Sequence, residues 1–248
     1  MIALIQLEWL KLRTTPALLV TVSVTLALSL VSAVTNLLLT VQAGGPAFGS
    51  RGHVEHVTTQ PAAVTSMAML ILGVLVIAGE YRQRTILGTF LAEPRRGRVL
   101  IAKLLTVGAL GAVLAAITYA AMIAVVVPLY ASKGIHQLPV DITSLGLGTV
   151  LSGACYGLLG VALGALTRNT VAAIVGGLIW IQFVEVGILE NAIPSLAKWL
   201  PAGAAQALTT MESSSHVLPQ AVAALVLVGW AALLVSIAMR LSTRRELR

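Results

Sequence analysis

Charge is scarce in this chain. Only 10% of its 248 residues are Asp, Glu, Lys or Arg, where a soluble domain carries about 25%. With 58% hydrophobic residues and a mean hydropathy of +0.95, a water-soluble fold of this length is excluded, because its core could not hide so much apolar surface. Cysteine is almost missing: Cys155 stands alone inside an apolar run, which rules out an intrachain disulfide. There is no Gly-Lys-Ser or Gly-Lys-Thr triplet, so this polypeptide carries no P-loop for ATP. There is no His-Glu-x-x-His, no fixed-period repeat and no low-complexity tract.

What is present is a series of long uncharged stretches. A helix rises 1.5 Å per residue, so about 17–25 apolar residues cross the hydrocarbon. Six runs qualify, at about 16–41, 61–79, 104–128, 143–166, 171–189 and 218–239. The expected fold is an all-α membrane protein, one transmembrane domain over residues 1–248 with six spans. Lys11 and Arg13 precede the first run, which at about 25 residues is too long for a cleaved signal, whose apolar part has about 7–15.

The net charge of +7 would point to nucleic acid in a soluble chain. Here the Lys and Arg lie in short segments beside apolar runs, and orientation explains them better. Lys11 and Arg13, six basic residues between Arg82 and Lys103, Arg168, and four from Arg240 to Arg248 fall on one side, thirteen of the sixteen. The positive-inside rule makes that side cytoplasmic and places both termini there. An odd number of spans breaks this partition.

Three segments outside the spans stand out. Residues 1–13 carry Ile2, Ile5, Trp9 and Leu12 at helical spacing, which predicts a short interfacial helix on the inner leaflet. Residues 80–103 form the longest cytoplasmic loop. Residues 190–217 are too apolar for a plain outer loop and too interrupted, by Pro194 and Pro201, to cross. They predict a pair of short re-entrant helices, tolerated at membrane depth where protein or a water-filled cavity covers them.

Polar residues inside the spans are the candidates for chemistry. Thr21, Thr25, Ser29, Ser32 and Asn36 share one face of the first span. They either bond to neighbouring helices or line a polar path, with Asn36 nearest the outer end. Glu185 is the carboxylate expected inside a span, about 21 Å along the fifth helix from Val171, with Gln182 one turn earlier. Such a group faces protein or water. It serves either as an outer gate contacting substrate or as a cap bonded to the re-entrant segment. Gly153, Gly157, Gly160 and Gly164 ladder the fourth span, a pattern for close helix packing rather than for function. His53 and His56 flank Glu55 in the first outer loop. Two histidines at this spacing can hold a metal on a helix, but no third ligand is evident, and polar loop residues are the plainer reading. All four histidines fall in outer loops, so no serine nucleophile in a span has a partner at its own depth.

The cytoplasmic loop reads Gly79-Glu80-Tyr81-Arg82-Gln83-Arg84-Thr85-Ile86-Leu87, then Ala92-Glu93-Pro94-Arg95-Arg96-Gly97-Arg98, then Ala102-Lys103. This resembles the ABC-2 type permeases, the membrane subunits of one class of ABC exporter. The resemblance rests on Glu80, Arg82, Thr85, Pro94, Arg96 and Lys103, and extends to the interfacial helix, the six spans and Trp199-Leu200-Pro201. Many members have Pro-Val-Ser-Arg where this chain has Pro94-Arg95-Arg96-Gly97. The resemblance implies a bacterial multi-pass cell-membrane protein, paired with a second permease copy or paralogue and with cytoplasmic ATPase subunits. ATP and Mg would sit on that partner, with no cofactor in this chain. Usage rich in Ala, Leu, Val and Arg fits a GC-rich bacterial genome. The implied roles are coupling for Glu80, Arg82, Arg84, Thr85, Pro94 and Arg96, and a path or outer gate at Thr25, Ser29, Asn36, Gln182 and Glu185. The implied cargo is amphipathic: a drug, as in multidrug efflux, a peptide or a lipid. The bland alternative for the arginines is anchoring to anionic headgroups. The alternative for the whole chain is a non-transporting scaffold or immunity-type protein that binds a toxin or signalling partner.

Overall fold

The computed structural model describes residues 2–39, 44–82, 96–135, 138–210 and 217–244. Those residues form helices, turns and short connections, with no strand among them. Hydrocarbon offers no water to the backbone, so each spanning segment must satisfy its own N–H and C=O groups, which a helix does. The elements are α1 (Ile2–Thr14), α2 (Pro16–Leu39), α3 (Arg51–Arg82), α4 (Arg96–Ser132), α5 (Ile142–Thr167), α6 (Thr170–Ala192), α7 (Pro194–Ala197), α8 (Pro201–Thr209) and α9 (Gln220–Arg244). Six of them, α2 to α6 and α9, are long and apolar enough to cross a membrane.

Two spans run longer than the apolar count predicts. Pro61 marks the expected start of the second span, yet α3 begins at Arg51 and carries Pro61 inside it. The ring removes one donor, to Val57, but neighbouring helices compensate for such gaps in a membrane bundle. His53 and His56 are therefore helical rather than in a loop. In the same way α4 starts at Arg96 and runs through Pro128, so Lys103 belongs to a helix and not to the loop.

The middle of the bundle is α5. In its most apolar stretch 67% of residues are buried, against 17% in α6. The glycine ladder accounts for this. A side chain at Gly160 would overlap the Leu70 carbonyl of α3, one at Gly153 would meet Ala115 and the Gly111 backbone of α4, and one at Gly148 would strike Leu208 of α8. Small residues permit backbone contact of this kind where lipid supplies no hydrophobic drive.

Asp141 caps α5 by accepting the Thr143 N–H at 3.0 Å. The helix ends at Arg168, whose left-handed φ of 52° lets its N–H reach Gly164 O. Asn169 then caps α6 through Val171 and Ala172 N–H at 3.0 and 3.2 Å. A two-residue turn thus joins the two spans. At the other end, α7 and α8 each open on a proline at a first helical turn, the pair of short helices expected for this segment. Ala204, Ala207 and Leu208 of α8 are buried with Leu70, Tyr156, Ile181 and Leu227. Trp230 of α9 donates to the Trp199 carbonyl at 2.8 Å and ties the segment down.

Gly160→Ala is expected to lower stability by about 1–3 kcal/mol through overpacking, measured by unfolding in detergent. Gly176→Ala, where a Cβ meets nothing within 4 Å, is expected to leave stability unchanged within about 0.5 kcal/mol.

Candidate functional site

One end of the bundle is organised by four charges. Lys103, only 2% exposed, donates to Glu8 Oε2 at 2.6 Å and to Glu80 Oε1 at 2.9 Å. Lys11 reaches Glu80 Oε1 at 3.1 Å and Glu8 Oε1 at 3.2 Å. Glu8 and Lys11 come from α1, Glu80 from the last turn of α3 and Lys103 from the first turns of α4, so one square of alternating charge clamps three helices. Burial works against the Lys11 charge, but the Glu80 and Glu8 carboxylates outweigh it and hold its pKa above the ordinary lysine value. A raised lysine pKa stabilises fully below the unfolded value and is lost as pH climbs through the folded one, so this contribution is intact at neutral pH.

The square changes the reading of α1. Its docking side carries Glu8 and Leu12, both buried, while Trp9 is 47% exposed. The expected stripe is therefore split: Leu12 joins the buried apolar core, Trp9 is left toward the surroundings, and Glu8 adds charge to the docking face. A bend at Thr15 before Pro16 separates it from α2, with the Thr15 hydroxyl bonded to Lys11 O at 2.6 Å.

Glu80 is thus turned inward to Lys11 and Lys103. Arg82 ends α3 and Arg96 begins α4. Arg84, Thr85 and Pro94 lie outside the described residues, in the segment 83–95 that connects α3 to α4. The square therefore sits where the chain leaves the bundle for that connection and where it returns.

The polar face of α2 divides along its length. Thr25 and Ser29 are buried. Ser29 Oγ lies 3.3 Å from Thr65 Oγ1, and Thr65 Oγ1 lies 3.1 Å from Thr118 Oγ1, a row of hydroxyls through α2, α3 and α4 beside the Pro61 carbonyl. Asn36 is half-buried and bonded to Ser32 O at 2.8 Å. His53 is buried with its Nδ1 2.6 Å from the Tyr130 hydroxyl and its ring against Phe48 and Tyr130, whereas His56 is exposed. Glu55 pairs with Arg51 at 3.0 Å.

The opposite end is organised by Glu185. Residues Ile179–Leu189 of α6 wind as a π-helix, closed at Glu190 N–H to Glu185 O. Such i→i+5 winding usually occurs as single turns and is frequent at functional sites. Glu185 is 2% exposed and its Oε2 accepts the Ala202 N–H at 2.8 Å, so it caps α8, as one of its two sequence readings holds. Oε1 makes no well-aligned hydrogen bond, although the Trp180 indole lies beside the carboxyl. A cavity of about 170 Å³ between α3, α5, α6 and α8 is lined by Gln182, Ser152 and Tyr156 among others. A second, of about 370 Å³, lies between α6 and the α7–α8 segment and includes Glu185 and Lys198.

Sequence reasoning missed Glu8 and Lys11 as site residues, though a carboxylate within an apolar helical stripe, three residues from a lysine, is a visible signal. It missed the π-winding, which leaves no mark in composition. Tyr156 and Ser152 were hidden among the small residues of the fourth span.

A family model described as "ABC-2 family transporter protein" matches residues 4–185. Among curated proteins none matches the chain closely enough to add a relative.

Removing one member of the buried square strands its partners. Lys103→Met is expected to cost about 3–5 kcal/mol, read by unfolding in detergent. Glu8→Gln added to it is expected to restore part of the loss, because one uncompensated carboxylate goes with it. Lys11→Ala is expected to cost less than Lys103→Met, since its side chain is 37% exposed.

Proposed function

The chain belongs to the ABC-2 transporter family, and from that premise we propose that it is the membrane-spanning permease subunit of an ATP-driven exporter. A separate cytoplasmic ATPase subunit supplies the energy and holds ATP and Mg. A second permease copy or paralogue completes the path, and the pair works within the lipid of a bacterial cell membrane with both termini inside. The cargo is amphipathic, a drug, a peptide or a lipid.

The observation that carries this reading is the charge square. Glu80 and Lys103 flank the segment 83–95 on its two sides, and both are bonded to α1. A displacement of that segment by a partner reaches α1, α3 and α4 together, because moving one member means separating buried opposite charges. Arg82, Arg84, Thr85, Pro94 and Arg96 are assigned to the contact with the ATPase, and Glu80 to passing the displacement inward. The path runs along α2, α3 and α6, with Asn36 on one wall, the buried Thr25 and Ser29 packed behind it, and Gln182 and Glu185 at its outer gate. The charge asymmetry of the sequence supports the orientation.

The test begins with the gene neighbourhood, where an adjacent P-loop ATPase reading frame supports the exporter, and proceeds to co-expression of this chain with that ATPase. The two are expected to co-purify, and the complex to hydrolyse ATP. Arg82→Glu combined with Arg84→Glu is expected to abolish the complex or cut hydrolysis at least about tenfold, the effect of about 1.4 kcal/mol. Unchanged assembly and hydrolysis in that variant overturn the coupling assignment. Failure of any ATPase to associate with the wild-type chain favours the non-transporting scaffold.

A further inference from the structure

The two outer cavities are contiguous. They share Val186, Glu190, Ala202 and Gln206 as common walls, and Glu185 lines the larger of them. Two polar atoms there are buried without a well-aligned hydrogen-bond partner. One is Glu185 Oε1, in a side chain 2% exposed; the other is Ser152 Oγ, in a residue 1% exposed that lines the smaller cavity. A buried acceptor with no donor is costly, and more so for a carboxylate. Native structures rarely keep such a group unless something fills the space beside it.

The chemistry of the walls says what fills it. Glu185 and Glu190 bring two carboxylates, and Lys198 across the larger cavity leaves the formal balance one negative charge in excess. Met67, Ile181 and Val186 supply apolar wall. The combined space falls in the range of drug-sized pockets.

We propose that these adjoining cavities form a binding site for an amphipathic organic cation, with Glu185 as the main counter-charge and Glu190 as the second. Glu185 Oε2 stays on the Ala202 N–H, so the carboxylate is held in place and its charge acts on the ligand from the wall of the larger cavity. Ser152 Oγ receives or donates to a polar group at the ligand's other end. Naming that ligand as exported cargo rests on the permease reading; the site itself does not.

The test uses the full-length chain in lipid nanodiscs with two probes of the same shape, tetraphenylphosphonium and tetraphenylborate, after subtraction of uptake by empty nanodiscs. The phosphonium is expected to bind saturably and at least tenfold more tightly than the borate. Glu185→Gln is expected to weaken it at least tenfold. Should Glu185→Gln disturb α8, Glu190→Gln carries the test, with at least a threefold loss expected. Equal binding of both probes, or wild-type affinity in both variants, overturns the proposal. Loss of probe binding with the ATPase complex intact removes this inference alone, whereas probe binding without any ATPase association removes the exporter reading and leaves the site.

Discussion

Helices in hydrocarbon gain little by hiding apolar surface from one another, because lipid tails are as apolar as leucine. What holds this bundle is close backbone contact along α5 and the polar groups that cross between helices. Gly148, Gly153 and Gly160 bring α8, α4 and α3 to within backbone reach of α5. The rest of the architecture is arranged around that post: α3 and α4 lean on its glycine faces, α8 is wedged against its outer end, and α2 is fastened to α3 by the Ser29–Thr65 contact. The least covered spans, α2, α6 and α9, lie outside this centre.

The two ends of the bundle use their buried charge differently. At the inner end Glu8 and Glu80 both meet lysines, and the four groups lock α1 to α3 and α4. At the outer end the buried carboxylate of Glu185 meets a backbone N–H and keeps one oxygen without an aligned partner. Glu80 Oε2 and Glu185 Oε1 alike lack an aligned partner, but two lysines hold the other Glu80 oxygen, so separating that network parts buried opposite charges, whereas Glu185 is held by a backbone N–H.

Much of this was legible in the residues. The six spans follow from uncharged runs, the packing role of α5 from the spacing Gly153, Gly157, Gly160, Gly164, and the paired outer helices from Pro194 and Pro201. Boundaries failed where proline was read as a terminus: Pro61 and Pro128 sit inside helices, because a membrane bundle compensates for a missing N–H that would break a solvated helix. Lys103 was legible as a residue of the resemblance but not as the centre of a network, since its partners Glu8 and Glu80 lie 95 and 23 residues away in sequence. The buried face of α1 was only partly seen because apolar periodicity finds Leu12 but not Glu8, which docks by charge beside it. Glu185 was legible as unusual, and its partner Ala202 is a backbone group that no side-chain pattern reveals.

The turn at Arg168 and Asn169 has a mechanical meaning. Two residues span at most about 7 Å, and both are committed to capping, one for each neighbour. The fifth span therefore cannot slide along the central post; its inner end is pinned and the freedom left to it is to swing. Over its 23 residues, a helix some 30 Å long or slightly more, a tilt of about ten degrees carries the far end about 5 Å. Such a swing pivots at Arg168 and Asn169 and delivers about two thirds of its travel at the level of Glu185, about 21 Å along the helix.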